Sequence, residues 1–177
     1  FGIRPVTAGK IYLHDKEFVP QNPINAIRNK IAFVTEDRKK SGLVLCLPVV
    51  ENINMINAQK VRYPVGYLNW KELAAIAKKQ QKKLDIKLNS ISQPVNTLSG
   101  GNQQKVVLGK WMDFEPDLIL FDEPTRGIDI GAKTEIYNIM GELASRGGAN
   151  LMVSAELPEL LSVAEHSMVM HEGVMKG

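Results

Sequence analysis

The chain has 177 residues, enough for one domain with a real hydrophobic core. Its net charge of +3 comes without a basic arm or interleaved aromatic and basic residues, which argues against a nucleic-acid partner. The single cysteine, Cys46, excludes an internal disulfide and fits a reducing compartment, and no apolar run reaches the ~20 residues of a membrane span.

The first four residues read as the tail of a helix whose body lies elsewhere, and the last four fall inside a hairpin. The sequence is therefore expected to be a fragment cut at both ends. Residues 10–13 and 16–19 predict two strands joined at His14-Asp15. Asn22-Pro23 predicts a helix start, with Asn as cap and Pro at the first helical position, and the helix runs to about Asn29. Residues 31–34 form a short apolar strand, followed by a polar loop over 35–42. Residues 43–97 are expected to be mostly helical. One helix covers about 48–58, and another opens at Asn69, with Glu72 three residues on. Leu73, Ile76, Ala77 and Leu84 supply its apolar face, and Lys78, Lys79, Lys82 and Lys83 a solvated one.

The remainder alternates in the α/β manner. A helix opening at Ser99-Gly100-Gly101 is followed by a strand at 118–121, then a helix over about 132–145. A strand at 150–153, a helix over about 158–164 and a strand at 167–170 complete the order. His14, His166 and His171 read as turn, surface or edge residues, and no His/Cys cluster has metal-ligand spacing.

Two stretches carry chemistry. A Ser-Gly-Gly turn at a helix N-terminus presents free N–H groups and the positive end of the helix dipole, which suits a phosphate. The apolar run Leu118-Ile119-Leu120-Phe121 ends in Asp122-Glu123-Pro124. Two adjacent carboxylates at the end of a buried strand suit Mg²⁺ coordination and activation of a water.

In this order the two stretches resemble the signature motif and Walker B strand of ATP-binding cassette (ABC) ATPases. Thr125-Arg126-Gly127-Ile128-Asp129 resembles the D-loop. Together with Thr35-Glu36-Asp37-Arg38-Lys39, Asn102-Gln103-Gln104-Lys105 and Ser154-Ala155-Glu156-Leu157-Pro158-Glu159, it is similar to the second cassette of tandem monosaccharide importers. These are the ribose, galactose, xylose and arabinose types, and the resemblance covers nearly the whole chain.

The resemblance implies an α/β P-loop-like fold: a parallel-sheet core, a small antiparallel β part and a helical subdomain. The corresponding segments are about 1–42, 43–97 and 98–177. It implies ATP and Mg²⁺ as cofactors, with Asp122 holding the metal through water and Glu123 polarising the attacking water. Ser99, Gly100, Gly101, Asn102, Gln103 and Asp129 would face nucleotide bound by a partner cassette. That partner is an N-terminal cassette of the same chain or a second ATPase chain. A transmembrane permease subunit and, indirectly, an extracytoplasmic sugar-binding protein are the other implied partners. The implied location is the cytoplasmic face of the inner membrane.

Three departures stand beside these matches. No Gly-x-x-x-x-Gly-Lys-Ser/Thr (Walker A) segment occurs between residues 1 and 177. Glu36 stands at the Q-loop position, where the family has Gln. Ala155 stands at the H-loop position, where it has His, and alanine has no side-chain donor for a γ-phosphate. Residues 1–177 alone are expected not to turn over ATP. The alternative reading is a non-hydrolysing cassette that only completes the other cassette's site and transmits motion.

Overall fold

The computed structural model describes residues 1–58, 61 and 66–176. Its centre is a parallel three-stranded sheet in the order β3-β4-β5, formed by Ile31–Val34, Leu118–Asp122 and Ala149–Val153. Val34 pairs with Phe121, and Asp122 with Val153, so β4 is the middle strand and its C-terminal end carries the acid pair. β1 (Tyr12–Leu13) and β2 (Lys16–Glu17) form a small antiparallel hairpin before the first helix, α1 (Pro23–Arg28).

Helix α4 (Gly100–Met112) is the hub. It is buried almost all round, and Val106, Val107, Leu108 and Trp111 join Val34, Phe121 and Ile136 in one core. Against it pack α2 (Val49–Asn54) and α3 (Trp70–Lys83). Two lysines on the buried helix are held by named partners. Lys105 pairs with Glu135 at 2.8 Å and donates to the carbonyl of Asp85 at 3.0 Å. Lys110 donates to the carbonyl of Gly42 at 2.7 Å, and burial pulls its amine down to about 8. After β4 come α5 (Ile130–Ser145), β5, α6 (Leu157–Val163) and the terminal hairpin of β6 (Met170–His171) and β7 (Val174–Met175).

Helix caps form where the sequence marks them at Asn22, Asn69 and Ser99, and also at Asp129, ahead of the helix start expected near residue 132. The side chains of Asn22, Asn69, Ser99 and Asp129 each accept from a backbone N–H in the first turn of the helix they open. Several expectations are corrected. Residues 1–4 are not helical; the Phe1 ring lies 5.3 Å from that of Phe33 and 6.2 Å from that of Trp111, so packing on the core fixes this segment. The polar stretch 35–42 holds a single π-helical turn, Arg38–Gly42, capped by Asp37. The strand expected at 167–170 contracts to Met170–His171, because its only ladder partner among the described residues is the two-residue β7.

The segment 43–97 is less helical than expected. Its described α-helices are α2 and α3, while residues 85–99 cross the end of α2 as turns joined by a bridge between Pro48 and Pro94. Neither proline N can donate, so the backbone there is held by Val95 donating to Leu47 and Val49 donating to Gln93. Part of the helix expected over 48–58 is a run of turns, and residues 59–60 and 62–65 lie outside the described residues. No helix among the described residues is long and apolar enough to cross a membrane.

Candidate functional site

Asp122 closes β4, and Glu123 follows with φ 46°, in the left-handed region that non-glycine residues seldom adopt. The Glu123 N–H continues the ladder to the carbonyl of Val153 at 2.9 Å. Its carboxylate oxygen Oε1 accepts from the backbone N–H of Ala155 at 2.7 Å. The sharp turn thus aims the Glu123 side chain at the loop after β5. Strain of this kind is held only where surrounding contacts determine it, and it concentrates at functional positions.

The second group of residues gathers at the N-terminus of α4. The Ser99 hydroxyl accepts from the N–H of Asn102 at 3.4 Å and from Asn102 Nδ2 at 3.0 Å. The Asn102 side-chain oxygen accepts from the N–H of Lys87 at 2.7 Å, which ties the turn to the 85–89 loop. Gln103 is turned inward, donating to the carbonyl of Leu98 at 3.0 Å, so its side chain braces the turn from behind. The N–H groups of Gly100 and Gly101 donate to no acceptor among the described residues. Space is tight at both glycines, and rigidly so at Gly101. A Cβ on Gly100 would lie 2.7 Å from Nη2 of Arg38, and one on Gly101 2.7 Å from Cβ of Ala132.

Arg38 joins this turn to the loop after β4. Its guanidinium donates to the carbonyls of Arg126 at 2.9 Å and Gly127 at 3.3 Å. Burial lowers the guanidinium's pKa, and the neighbouring Asp37 partly offsets that. Glu36 pairs with Arg126 across a cleft of about 530 Å³ that Asp37, Lys39, Lys40 and Ser41 also line. Asp129 is turned to α5, where its Oδ1 accepts from the N–H of Ala132 at 3.0 Å.

The expected residues therefore fall into two groups. Ser99, Gly100, Gly101 and Asn102 share one turn, with Asp129 and Glu36 beside the loop that Arg38 pins to it. Asp122, Glu123 and Ala155 form the other group at the sheet's end. No hydrogen bond among the described residues joins the two groups directly. Sequence reasoning missed Arg38 and a buried cluster of Thr125, Ser154 and Glu159. Each lies inside a stretch quoted for its resemblance, but their pairings, 34 positions for Thr125 with Glu159 and 88 and 89 for Arg38, are set by the fold.

The donor set fits a phosphate. Two unspent N–H groups and a hydroxyl at a helix N-terminus, with Gly101 where a Cβ would collide, make an anion cradle. The acid pair fits Mg²⁺ as well, because that ion keeps several waters and takes one or two carboxylates beside substrate phosphates. Among the described residues no three His, Cys, Asp or Glu converge as a self-sufficient metal cage.

A ribose import ATP-binding protein, RbsA, of Bacillus cereus is 45% identical over all 177 residues, which cover 36% of its length. A putative ribose/galactose/methyl galactoside import ATP-binding protein of Halalkalibacterium halodurans is also 45% identical over 177 residues, covering 34% of its length. The chain thus spans about a third of the length of the curated relatives it matches. The solved ATP-binding cassette MJ1267 of an ABC transporter superposes with a TM-score of 0.82 at 21% identity, over 99% of this chain and 71% of that one. A dimeric ATP-binding cassette, MJ0796, bound to ADP and Pi superposes with a TM-score of 0.68 at 23% identity, over 86% of this chain and 65% of that one. At these identities the superpositions establish the α/β cassette fold. A family model described as "ABC transporter" matches residues 1–126, and by that match this chain, with its glycine cradle and its acid pair at the end of β4, belongs to the ABC transporter family.

Proposed function

We propose that this chain is an ATP-binding cassette of a sugar importer, the second of two, coupling ATP binding and hydrolysis to monosaccharide transport. The observation that carries the reading is the Ser99-Gly100-Gly101 turn, capped and braced from within while two N–H groups remain unspent. The curated relatives are sugar import ATP-binding proteins, which supports the substrate class.

In this reading the cassette works through two surfaces. The α4 turn faces a nucleotide held by a partner cassette, and Ser99 Oγ with the Gly100 and Gly101 N–H groups steadies its terminal phosphate. Such fixed donors stabilise developing charge without reorganising. At the cassette's own site, Mg²⁺-bound ATP would supply the electrophilic phosphoryl group. There Asp122, at the end of β4, would hold the metal. Glu123, with Oε1 anchored by Ala155, keeps Oε2 free to orient a water. The segments 1–42, 43–97 and 98–177 serve as β part, helical subdomain and catalytic part. The helical part meets a membrane permease at the cytoplasmic face, which in turn meets a sugar-binding protein.

Ala155 favours a second reading, in which this cassette completes the partner's site and hydrolyses little itself. Glu36 adds to it, because its carboxylate is engaged by Arg126. Uptake of labelled monosaccharide into vesicles carrying the assembled transporter tests the proposal. ATP-dependent uptake that Ser99→Arg abolishes is expected; uptake indifferent to ATP would overturn it.

A further inference from the structure

Between the two surfaces lies a buried polar cluster that neither the phosphate cradle nor the acid pair accounts for. Glu159, on α6, is only 6% exposed, and Thr125, in the loop after β4, only 1%. The Thr125 hydroxyl lies 2.8 and 2.9 Å from the two Glu159 carboxylate oxygens. The Ser154 hydroxyl donates to Glu159 Oε2 at 3.0 Å and itself accepts from the N–H of Glu156 at 3.1 Å. Lys133, on α5, donates to Glu159 Oε1 at 2.5 Å and to Glu156 at 3.0 Å, which neutralises the buried charge. A buried carboxylate is tolerated only when paired and hydrogen-bonded in this way.

The cluster lies where four segments meet. Thr125 is two residues from Glu123, and Ser154 is next to Ala155, whose N–H holds Glu123. From Thr125 the loop turns tightly, with Arg126 N–H donating to Glu123 and Ile128 N–H to Thr125. It then passes Arg126 and Gly127, whose carbonyls Arg38 grips beside Gly100. The loop after β4 is therefore fixed at one end by Glu159 and at the other by Arg38.

We propose that Glu159 is a positioning residue whose hydrogen bond from Thr125 sets the 125–129 loop against the Ser99-Gly100-Gly101 turn, and so sets the surface offered to the partner's nucleotide. This rests on the proposed ATPase reading and adds to it a residue that touches neither nucleotide nor metal. Misplacement of a reacting geometry by about 1 Å can cost on the order of 100-fold in rate. Loss of the latch is therefore expected to lower kcat roughly 10- to 100-fold with little change in the KM for ATP.

The test compares Thr125→Val with Thr125→Ser in the full-length ATPase assembled with its membrane subunit. Valine keeps the shape and loses the hydroxyl; serine keeps the hydroxyl and loses the methyl. A latch predicts low kcat in Thr125→Val and recovery in Thr125→Ser. A packing role predicts the reverse order, and that order would overturn the proposal. Should Thr125→Val fail to fold, as judged by its melting temperature, Glu159→Gln takes its place with the same expected kcat loss. Ser99→Arg runs alongside. If it abolishes turnover while Thr125→Val (or Glu159→Gln) turns over like the unmodified protein, the latch alone is wrong. If Ser99→Arg itself turns over normally, the composite-site reading fails and the latch proposal with it.

Discussion

The backbone N–H of Ala155 donates to Oε1 of Glu123 at 2.7 Å, so the loop after β5 supports the glutamate without any side chain at position 155. Position 155 thus separates two tasks. The backbone orients Glu123, while in the proposed ATPase a side-chain donor to the γ-phosphate would be missing. Restoring the donor with Ala155→His should raise turnover at this cassette's own site. The effect is expected where the other composite site has been silenced by Ser99→Arg, with residual turnover rising about tenfold or more, as for a regained transition-state donor. Residual turnover equal to that of the Ser99→Arg parent would show that the missing histidine does not limit this site.

Glu159 should be visible in the acid stability of the fold. Burial alone would raise its carboxyl, but hydrogen bonds from Lys133, Thr125 and Ser154 outweigh that and hold it down to about 2, from an ordinary 4.5. A carboxyl depressed in the folded state stabilises fully above its unfolded value, and that stability is lost as pH falls to the folded one. The window is therefore about pH 4.5 to 2, and the amount on the order of 3 kcal/mol. Denaturant unfolding across this range should show a slope that Glu159→Gln flattens. Equal slopes in both proteins would contradict the depressed value.

Gly101 is expected to be irreplaceable for a reason of space. Its missing Cβ would sit 2.7 Å from the Cβ of Ala132, at the start of α5, and neither atom can rotate away. Gly101→Ala should therefore destabilise by about 1–3 kcal/mol, as overpacking of a rigid contact does. Ala132→Gly in the same chain should restore much of the loss despite its own cost in helix propensity. A double variant no more stable than Gly101→Ala would place the strain elsewhere.

Some features were legible in the sequence because they are local. Asn22, Asn69 and Ser99 cap the helices they precede, since a cap needs only its own first turn. The acid pair at the end of β4 was legible because a run of four apolar residues leads to it. Arg38 and Glu159 were not. Arg38 reaches carbonyls 88 and 89 residues away, and Glu159 meets Thr125 across 34. Such pairs exist only once α6 and the 38–42 turn are packed on either side of the same loop. The outer hairpins were overestimated in length for a related reason. Alternating residues in 10–19 and 167–175 suggest longer strands, but most of the residues in their short ladders are exposed, so little burial extends the pairing.

The segment from Glu36 to Asn57 joins the sheet to the helices that pack on α4, with Lys110 bonded to Gly42 at its middle. In the proposed transporter this joint receives a short helix of the permease. Cysteine cross-linking of the assembled complex should capture the permease from positions in 36–57, and more efficiently from exposed ones such as Met55. Cross-links only to the other cassette would place the permease on a different face.

In the proposed transporter this cassette's larger contribution is its Ser99-Gly100-Gly101 turn, presented to a partner, and its own site, with Glu36 and Ala155, is the weaker one. The most direct measurement is steady-state ATP turnover of two full-length variants assembled with the membrane subunit. Ser99→Arg places bulk where two N–H groups must face a phosphate, and loss of one such donor commonly costs about 10²–10³ in rate. Glu123→Gln removes the water-orienting carboxylate from the weaker site alone. Turnover falling far more in Ser99→Arg than in Glu123→Gln is the expected result; equal losses, or a greater loss in Glu123→Gln, would make this cassette a full catalytic partner and contradict the account.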